Sequence, residues 1–204
     1  MDLFEQLDNQ PVNRLPRQGE VLYYGQIFTP QESVVVFDAL LHGIAWEHDE
    51  AIVMGKKIVT PRQVSWYADQ PFSYHYSHST KIAKPWPNML LSLKKKAEQV
   101  SGEVYNACLL NLYADGRQAM GWHSDNEAEV KAGGAIASLS FGAERKFLFK
   151  HKCHQDKVSL VLQSGSLLMM KGDTQRYWLH RLPPSSLVKH PRINLTFRYM
   201  NSTS

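Results

Sequence analysis

His123-Ser124-Asp125 places an imidazole and a carboxylate two positions apart. On a strand, residues two apart point to the same side, so both groups can reach one metal ion. His180 stands farther along, inside another expected strand. Two His and one Asp form the three-ligand face that holds Fe(II) in non-haem sites and leaves positions open for a cosubstrate and O2. The His-x-Asp pair is a weak signal alone, because most such pairs are surface polar groups. A distal histidine adds little, since the chain has nine.

The segment Arg192-Ile193-Asn194-Leu195-Thr196-Phe197-Arg198 is more telling. Arg192, Asn194, Thr196 and Arg198 alternate with apolar residues and would face one side of a strand. Facing inward, two arginines are costly to bury without an anion. A dicarboxylate suits them, because guanidinium binds carboxylate through two parallel hydrogen bonds. The same alternation also describes a solvent-facing polar strand; the metal-type residues upstream favour the cosubstrate reading. Asn111-Leu112-Tyr113 puts an amide and a phenol on one side just before the His-x-Asp loop. They suit a ligand carboxylate or a satisfied pair on a sheet surface.

The elements that must position these groups are mainly strands. The first 20 residues are polar, with Pro11 and Pro16, and read as a loose arm. A strand over 21–28 leads to Thr29-Pro30-Gln31-Glu32, a helix start, with an end near Gly43. A second helix spans 86–101 and stops at Gly102. Strands are expected at 107–113, 135–141, 146–150, 157–162, 166–170, 177–182 and 192–200, separated by Gly, Asp and Pro turns. Many short strands after two helices predict a two-sheet jelly roll with flanking helices. Residues 46–84 crowd Trp46, Trp66, Tyr67, Phe72, Tyr74 and Tyr76 among Lys56, Lys57, Arg62, Lys81 and Lys84. That mixture suits base stacking beside phosphates. It also suits a sheet edge with solvated lysines.

The bulk composition sets bounds. The chain has 204 residues, 43% hydrophobic and 21% charged, which fits one globular domain. A formal charge of +4 accords with a polyanionic partner and equally with a small metabolic enzyme. Cys108 and Cys153 lack zinc spacing, which argues against a disulfide framework or zinc site and for a reducing compartment. No run of about 18 apolar residues and no signal-peptide pattern is present, so no membrane partner is expected.

Taken in order, NLYADG, GWHSDNE, ASLSFGAERKFLFKHK, GSLLMMKGDTQRYWLHRLP and PRINLTFR resemble the AlkB family of Fe(II)/2-oxoglutarate-dependent nucleic-acid demethylases, over roughly residues 105–200. The resemblance implies an α+β protein, mainly β with flanking helices. Its core would be a double-stranded β-helix (jelly-roll, cupin-like) over about 105–200, with a nucleotide-recognition lid over about 46–84, in a single domain. It implies His123, Asp125 and His180 as Fe(II) ligands. It implies Asn111, Tyr113, Arg192, Asn194, Thr196 and Arg198 as 2-oxoglutarate contacts, with Arg198 on the distal carboxylate. Trp178 would pack or shape the pocket. More weakly, Met54, Arg62, Tyr74, Tyr76, Ser77 and Glu127 resemble substrate contacts. Methionine at 54 departs from the bulky wedge of duplex-specific members, and Asn126 replaces an acid found in many relatives.

The implied activity is oxidative demethylation of bases such as 1-methyladenine and 3-methylcytosine in alkylated DNA. Fe(II), 2-oxoglutarate and O2 would be consumed or used, with formaldehyde, succinate and CO2 released. A base in a duplex must be flipped to reach the metal. RNA, a protein or a small molecule are alternative substrates, and a non-catalytic nucleic-acid binder with a relic site is another reading. A monomer is expected, intracellular: cytoplasmic in a bacterium, nuclear in a eukaryote.

Overall fold

The computed structural model describes residues 11–53, 56–76 and 79–201, with side chains at all of these except 50–53, 56–58, 73–76 and 79–81. Strand β1 (Glu20–Gln26) leads into helix α1 (Pro30–Gly43). Thr29 and Glu32 cap α1 reciprocally, each side chain bonding the other's backbone N–H, as the local sequence predicts. Strands β2 (Glu47–Val53), β3 (Lys56–Ala68), β4 (Ser73–Tyr76) and β5 (Ser79–Ile82) precede helix α2 (Asn88–Ser101). Gly102 closes α2 in the left-handed conformation, φ 72°. Strands β6 (Ala107–Tyr113), β7 (Met120–His123), β8 (Ile136–Gly142), β9 (Arg145–His151), β10 (Lys157–Leu162) and β11 (Ser166–Lys171) follow. A one-turn helix α3 (Thr174–Tyr177), β12 (Trp178–Leu182) and β13 (Arg192–Arg198) complete the order.

The strands form a seven-stranded sheet, β1-β11-β8-β13-β6-β3-β2, and a four-stranded sheet, β10-β9-β12-β7, with β4-β5 as a separate hairpin. The two larger sheets are the walls of a jelly roll. Period-two alternation decides what each strand buries where. On β13, Ile193, Leu195 and Phe197 pack with Leu40 of α1 and Leu90, Leu93 and Ala97 of α2. Residues 192, 194, 196 and 198 turn inward. Between the sheets, Ile136, Leu168 and Met170 meet Phe149, Leu162 and Trp178.

Two expectations are corrected. Residues 11–20 are not a loose arm: Leu15 is buried, Asn13 bonds the Leu15 and Val21 amides, and the Trp178 indole N–H donates to the carbonyls of Arg17 and Gln18. An indole buried at 0% exposure needs an acceptor, and this segment supplies it. Within 46–84, Gln63 to Ala68 of β3 pair with β6 and so join the large sheet. The strand expected at 177–182 starts at Trp178, because Tyr177 completes α3.

Gly142 ends β8 with φ 85°, and an added Cβ would stand 2.5 Å from the Pro191 carbonyl and 2.7 Å from the Phe37 ring. Left-handed backbone and close approach both demand glycine here. Gly142→Ala should therefore destabilise the fold by about 2 kcal/mol or more and lower the melting temperature by roughly 5 °C. Thermal unfolding followed by circular dichroism checks this; an unchanged midpoint would contradict the packing described.

Candidate metal and cosubstrate site

One pocket lies between the two large sheets, and it gathers residues from widely separated parts of the chain. His123, Asp125 and His180 stand in its wall with Asn111, Tyr113, Arg192, Asn194, Thr196 and Arg198. Arg62 and Glu127 line it as well.

The two histidines meet because β7 and β12 pair antiparallel with His123 opposite His180. Their rings lie 4.2 Å apart at 65°. His123 Nδ1 is 2.9 Å from the Gly121 carbonyl. A carbonyl only accepts, so Nδ1 carries the proton and Nε2 keeps its lone pair for a ligand role. That Nε2 lies 3.8 Å from Asp125 Oδ1. The ligand atoms of His123, Asp125 and His180 all lie within 4.8 Å of one another, and they are the one such group among the described residues. Burial pushes the His180 imidazole down to about 3, which keeps it neutral and able to coordinate.

Asp125 does not share a strand with His123. β7 stops at His123, and Asp125 lies in the loop beyond it. Burial raises its carboxyl, but the charge and hydrogen bond of Arg198, the leading opposing influence, hold it below its ordinary value. Arg198 Nη2 sits 3.0 Å from Asp125 Oδ1, with both side chains 5% exposed. Arg198, expected on the distal carboxylate of a cosubstrate, is thus engaged at the metal end.

Arg192 occupies the other end of β13. It is 2% exposed, donates from Nη2 to Ser140 Oγ at 2.9 Å, and rests 5.7 Å over the Tyr113 ring. Burial lowers it to about 10, so it stays a cation at neutral pH. Its Nε is buried without a hydrogen-bond partner, and no ion pair engages it among the described residues. A buried cation with a spare donor is costly unless an anion completes it. The Asn111 amide and Tyr113 hydroxyl likewise have no hydrogen bond among the described residues. Asn194 differs: both its N–H groups are spent on Ser138 Oγ and the Leu139 carbonyl, and Thr196 donates to its Oδ1. These two brace the sheet and have no donor to spare in this arrangement.

Several residues here left no sequence signal. Asp49 pairs with Arg62 at 2.8 Å, with side chains 6% and 8% exposed. Arg145, buried at the start of β9, donates to the carbonyls of Asp115, Gly116, Gln118 and Pro183 and so ties down the loops around Tyr113. Phe147 stacks 5.4 Å from His180. Trp178 is a core residue outside the pocket wall. Met54 and Ser77 lie outside the described residues, as do the side chains of Tyr74 and Tyr76 in β4. Lys84 is paired with Glu47.

Removing one partner of a buried ion pair strands the other, so Asp49→Ala should cost about 3 kcal/mol or more, while Asp49→Leu combined with Arg62→Met should cost less. Urea unfolding of both variants tests this; equal losses would mean that the pair is not what matters.

The comparisons agree with this geometry. The chain matches the 2OG-Fe(II) oxygenase superfamily over residues 20–198. It is 40% identical over 160 residues to the bovine DNA oxidative demethylase ALKBH2, covering 74% of this chain and 58% of that one. It is 34% identical over 190 residues to the human alpha-ketoglutarate-dependent dioxygenase alkB homolog 3, covering 88% and 66%. The chain thus spans less than two thirds of the length of these relatives. The solved structure of OsALKBH1 superposes with a TM-score of 0.60 at 16% identity, covering 93% of this chain and 100% of that one, which speaks to the fold alone. With the triad, the buried arginines and these matches together, the chain belongs to the 2OG-Fe(II) oxygenase superfamily and, within it, to the AlkB family.

Proposed function

We propose that this protein is an Fe(II)- and 2-oxoglutarate-dependent dioxygenase that repairs alkylated DNA by oxidative demethylation of N-methylated bases. The observation that carries the reading is one pocket holding both a three-residue metal face and, at its other end, a buried guanidinium with an unused donor. The relatives named DNA oxidative demethylase support DNA as the substrate.

When bound, Fe(II) with 2-oxoglutarate and O2 supplies the oxidation of the methyl group, with succinate, CO2 and formaldehyde as products. The chain's residues do the rest. His123, Asp125 and His180 hold the metal. Arg198 keeps Asp125 ionised and aimed. Arg192 would take the distal carboxylate of 2-oxoglutarate, with Asn111 and Tyr113 as donors beside it, while Asn194 and Thr196 keep that wall in register. Trp66, Leu109, Phe147 and Met170 line the pocket with apolar surface and exclude water. Arg62 and Glu127 also line the pocket, and in this reading they meet a flipped base. Glu127 suits a methylated base that carries positive charge. Met54, Tyr74, Tyr76 and Ser77 complete a recognition lid in this proposal, on the strength of the resemblance. The protein acts as a monomer inside the cell, on nucleic acid and not on membranes. Among the described residues no helix is long and apolar enough to cross one.

The deciding test is mass spectrometry of oligonucleotides carrying one 1-methyladenine or 3-methylcytosine. Protein, Fe(II), 2-oxoglutarate and ascorbate should remove one methylene mass from DNA, and His123→Ala should remove none. Iron-dependent succinate without any loss of mass would keep the dioxygenase and discard the substrate. The two arginines separate as well. Arg192→Met should raise the KM for 2-oxoglutarate at least about tenfold, the worth of one charged hydrogen bond, and leave metal affinity unchanged. If Arg198→Met raised that KM and Arg192→Met did not, the distal carboxylate would belong to Arg198 after all.

A further inference from the structure

Asp125 is the one metal-type residue that no strand holds. His123 and His180 are fixed by cross-strand pairing, whereas Asp125 sits two residues past the point where β7 stops. Its carboxylate is anchored by Arg198. Its backbone must be anchored too, or the peptide could rotate and carry the carboxylate out of reach of the histidines.

The backbone anchor comes from α3. The Asp125 N–H donates to Gln175 Oε1 at 2.9 Å, across 50 residues of sequence. Lys152 adds a second tie: its Nζ donates to the Gln175 carbonyl at 2.9 Å and to Ser124 Oγ at 3.3 Å. Ser124 and Asp125 are thus both joined to the same short helix. That helix is itself held. Thr174 Oγ1 donates to the Lys171 carbonyl at 2.7 Å and accepts the Glu20 N–H, and the Lys152 N–H donates to the Tyr177 carbonyl. Gln175 Nε2 faces Met170 Sδ at 3.5 Å, which orients the amide with its oxygen toward Asp125.

We propose that Gln175, assisted by Lys152, is a positioning residue that holds the Asp125 peptide so that its carboxylate completes the metal face. It would act through Asp125 and touch neither metal nor substrate. Buried ligands of this kind depend on such outer partners, whose loss typically costs 10–100-fold in metal affinity. The essential feature is an acceptor at Oε1: without one, the Asp125 N–H is left unsatisfied beside the pocket. The inference rests on the triad as a metal site and is independent of which substrate the enzyme takes.

The test is a titration with Co(II), followed by its visible absorption, on the full chain and two variants. Gln175→Leu keeps the shape and removes the acceptor. Gln175→Glu keeps an acceptor. Gln175→Leu should bind Co(II) about tenfold more weakly, with an altered band, while Gln175→Glu stays within about threefold of the unchanged protein. The metal-free melting temperature of Gln175→Leu should fall by no more than about 5 °C, and that of Gln175→Glu should stay within about 2 °C of the unchanged protein. Unaltered Co(II) binding by Gln175→Leu would overturn the proposal. So would equal losses in both variants accompanied by equal falls in melting temperature, since that pattern marks a merely structural residue. If the unchanged protein itself gave no Co(II) spectrum, the triad assignment would fall, a result plainly distinct from a difference among variants.

Discussion

β13 carries two guanidinium groups into the space between the sheets, and both side chains are buried. The strand lies between β6 and β8, so both its edges are fully bonded and it cannot turn over. Its apolar residues face the helices, which forces Arg192 and Arg198 inward. Burying one cation without compensation is costly, and burying two on one strand is more so. The site can be understood as the arrangement that answers those two charges. Arg198 is answered by Asp125, an anion that the metal also needs. Arg192 is answered by a ring face and one hydroxyl, and in the proposed reading by a bound carboxylate. In the proposed reading, the ends of this single strand set the metal and cosubstrate ends.

The facing sheet has a complementary task. It brings two imidazoles together through pairing of β7 with β12, and backs them with Phe147 and Phe149. These rings remove water, which is why His180 remains neutral far below the usual imidazole range. A neutral imidazole, an ionised carboxylate and a singly protonated second imidazole are the states in which such side chains bind a divalent ion. Each state here has a visible cause: burial for His180, Arg198 for Asp125, the Gly121 carbonyl for His123. The loop that carries Asp125 has no sheet pairing, so it borrows rigidity from α3. That helix in turn leans on residues 11–20, and the N-terminal segment belongs to the same packed body as the metal face.

Much of this was legible locally. Alternation marks β13, since a period of two is set by backbone geometry. The Thr29–Glu32 box marks the start of α1, because both partners lie within one turn. The resemblance also named the residues that converge on the pocket. Less was legible where a residue's role depends on a distant partner. Asp49, Arg145 and Gln175 are unremarkable in sequence. Their partners are Arg62, four carbonyls on two loops, and the Asp125 amide.

The difference has a physical origin. Hydrophobic periodicity, caps and turn residues act within a few positions, so the sequence by itself determined most strands of the C-terminal half, the two long helices, the alternation of β13 and the types of residue that could ligate a metal. Ion pairs and hydrogen bonds in a buried site join residues tens of positions apart, and their choice depends on register and burial. Only the tertiary structure decided that Arg198 serves Asp125 while Arg192 stays available, that Trp178 secures residues 11–20 instead of lining the pocket, and that Asp125 is held from α3 and not by the strand of its neighbour His123.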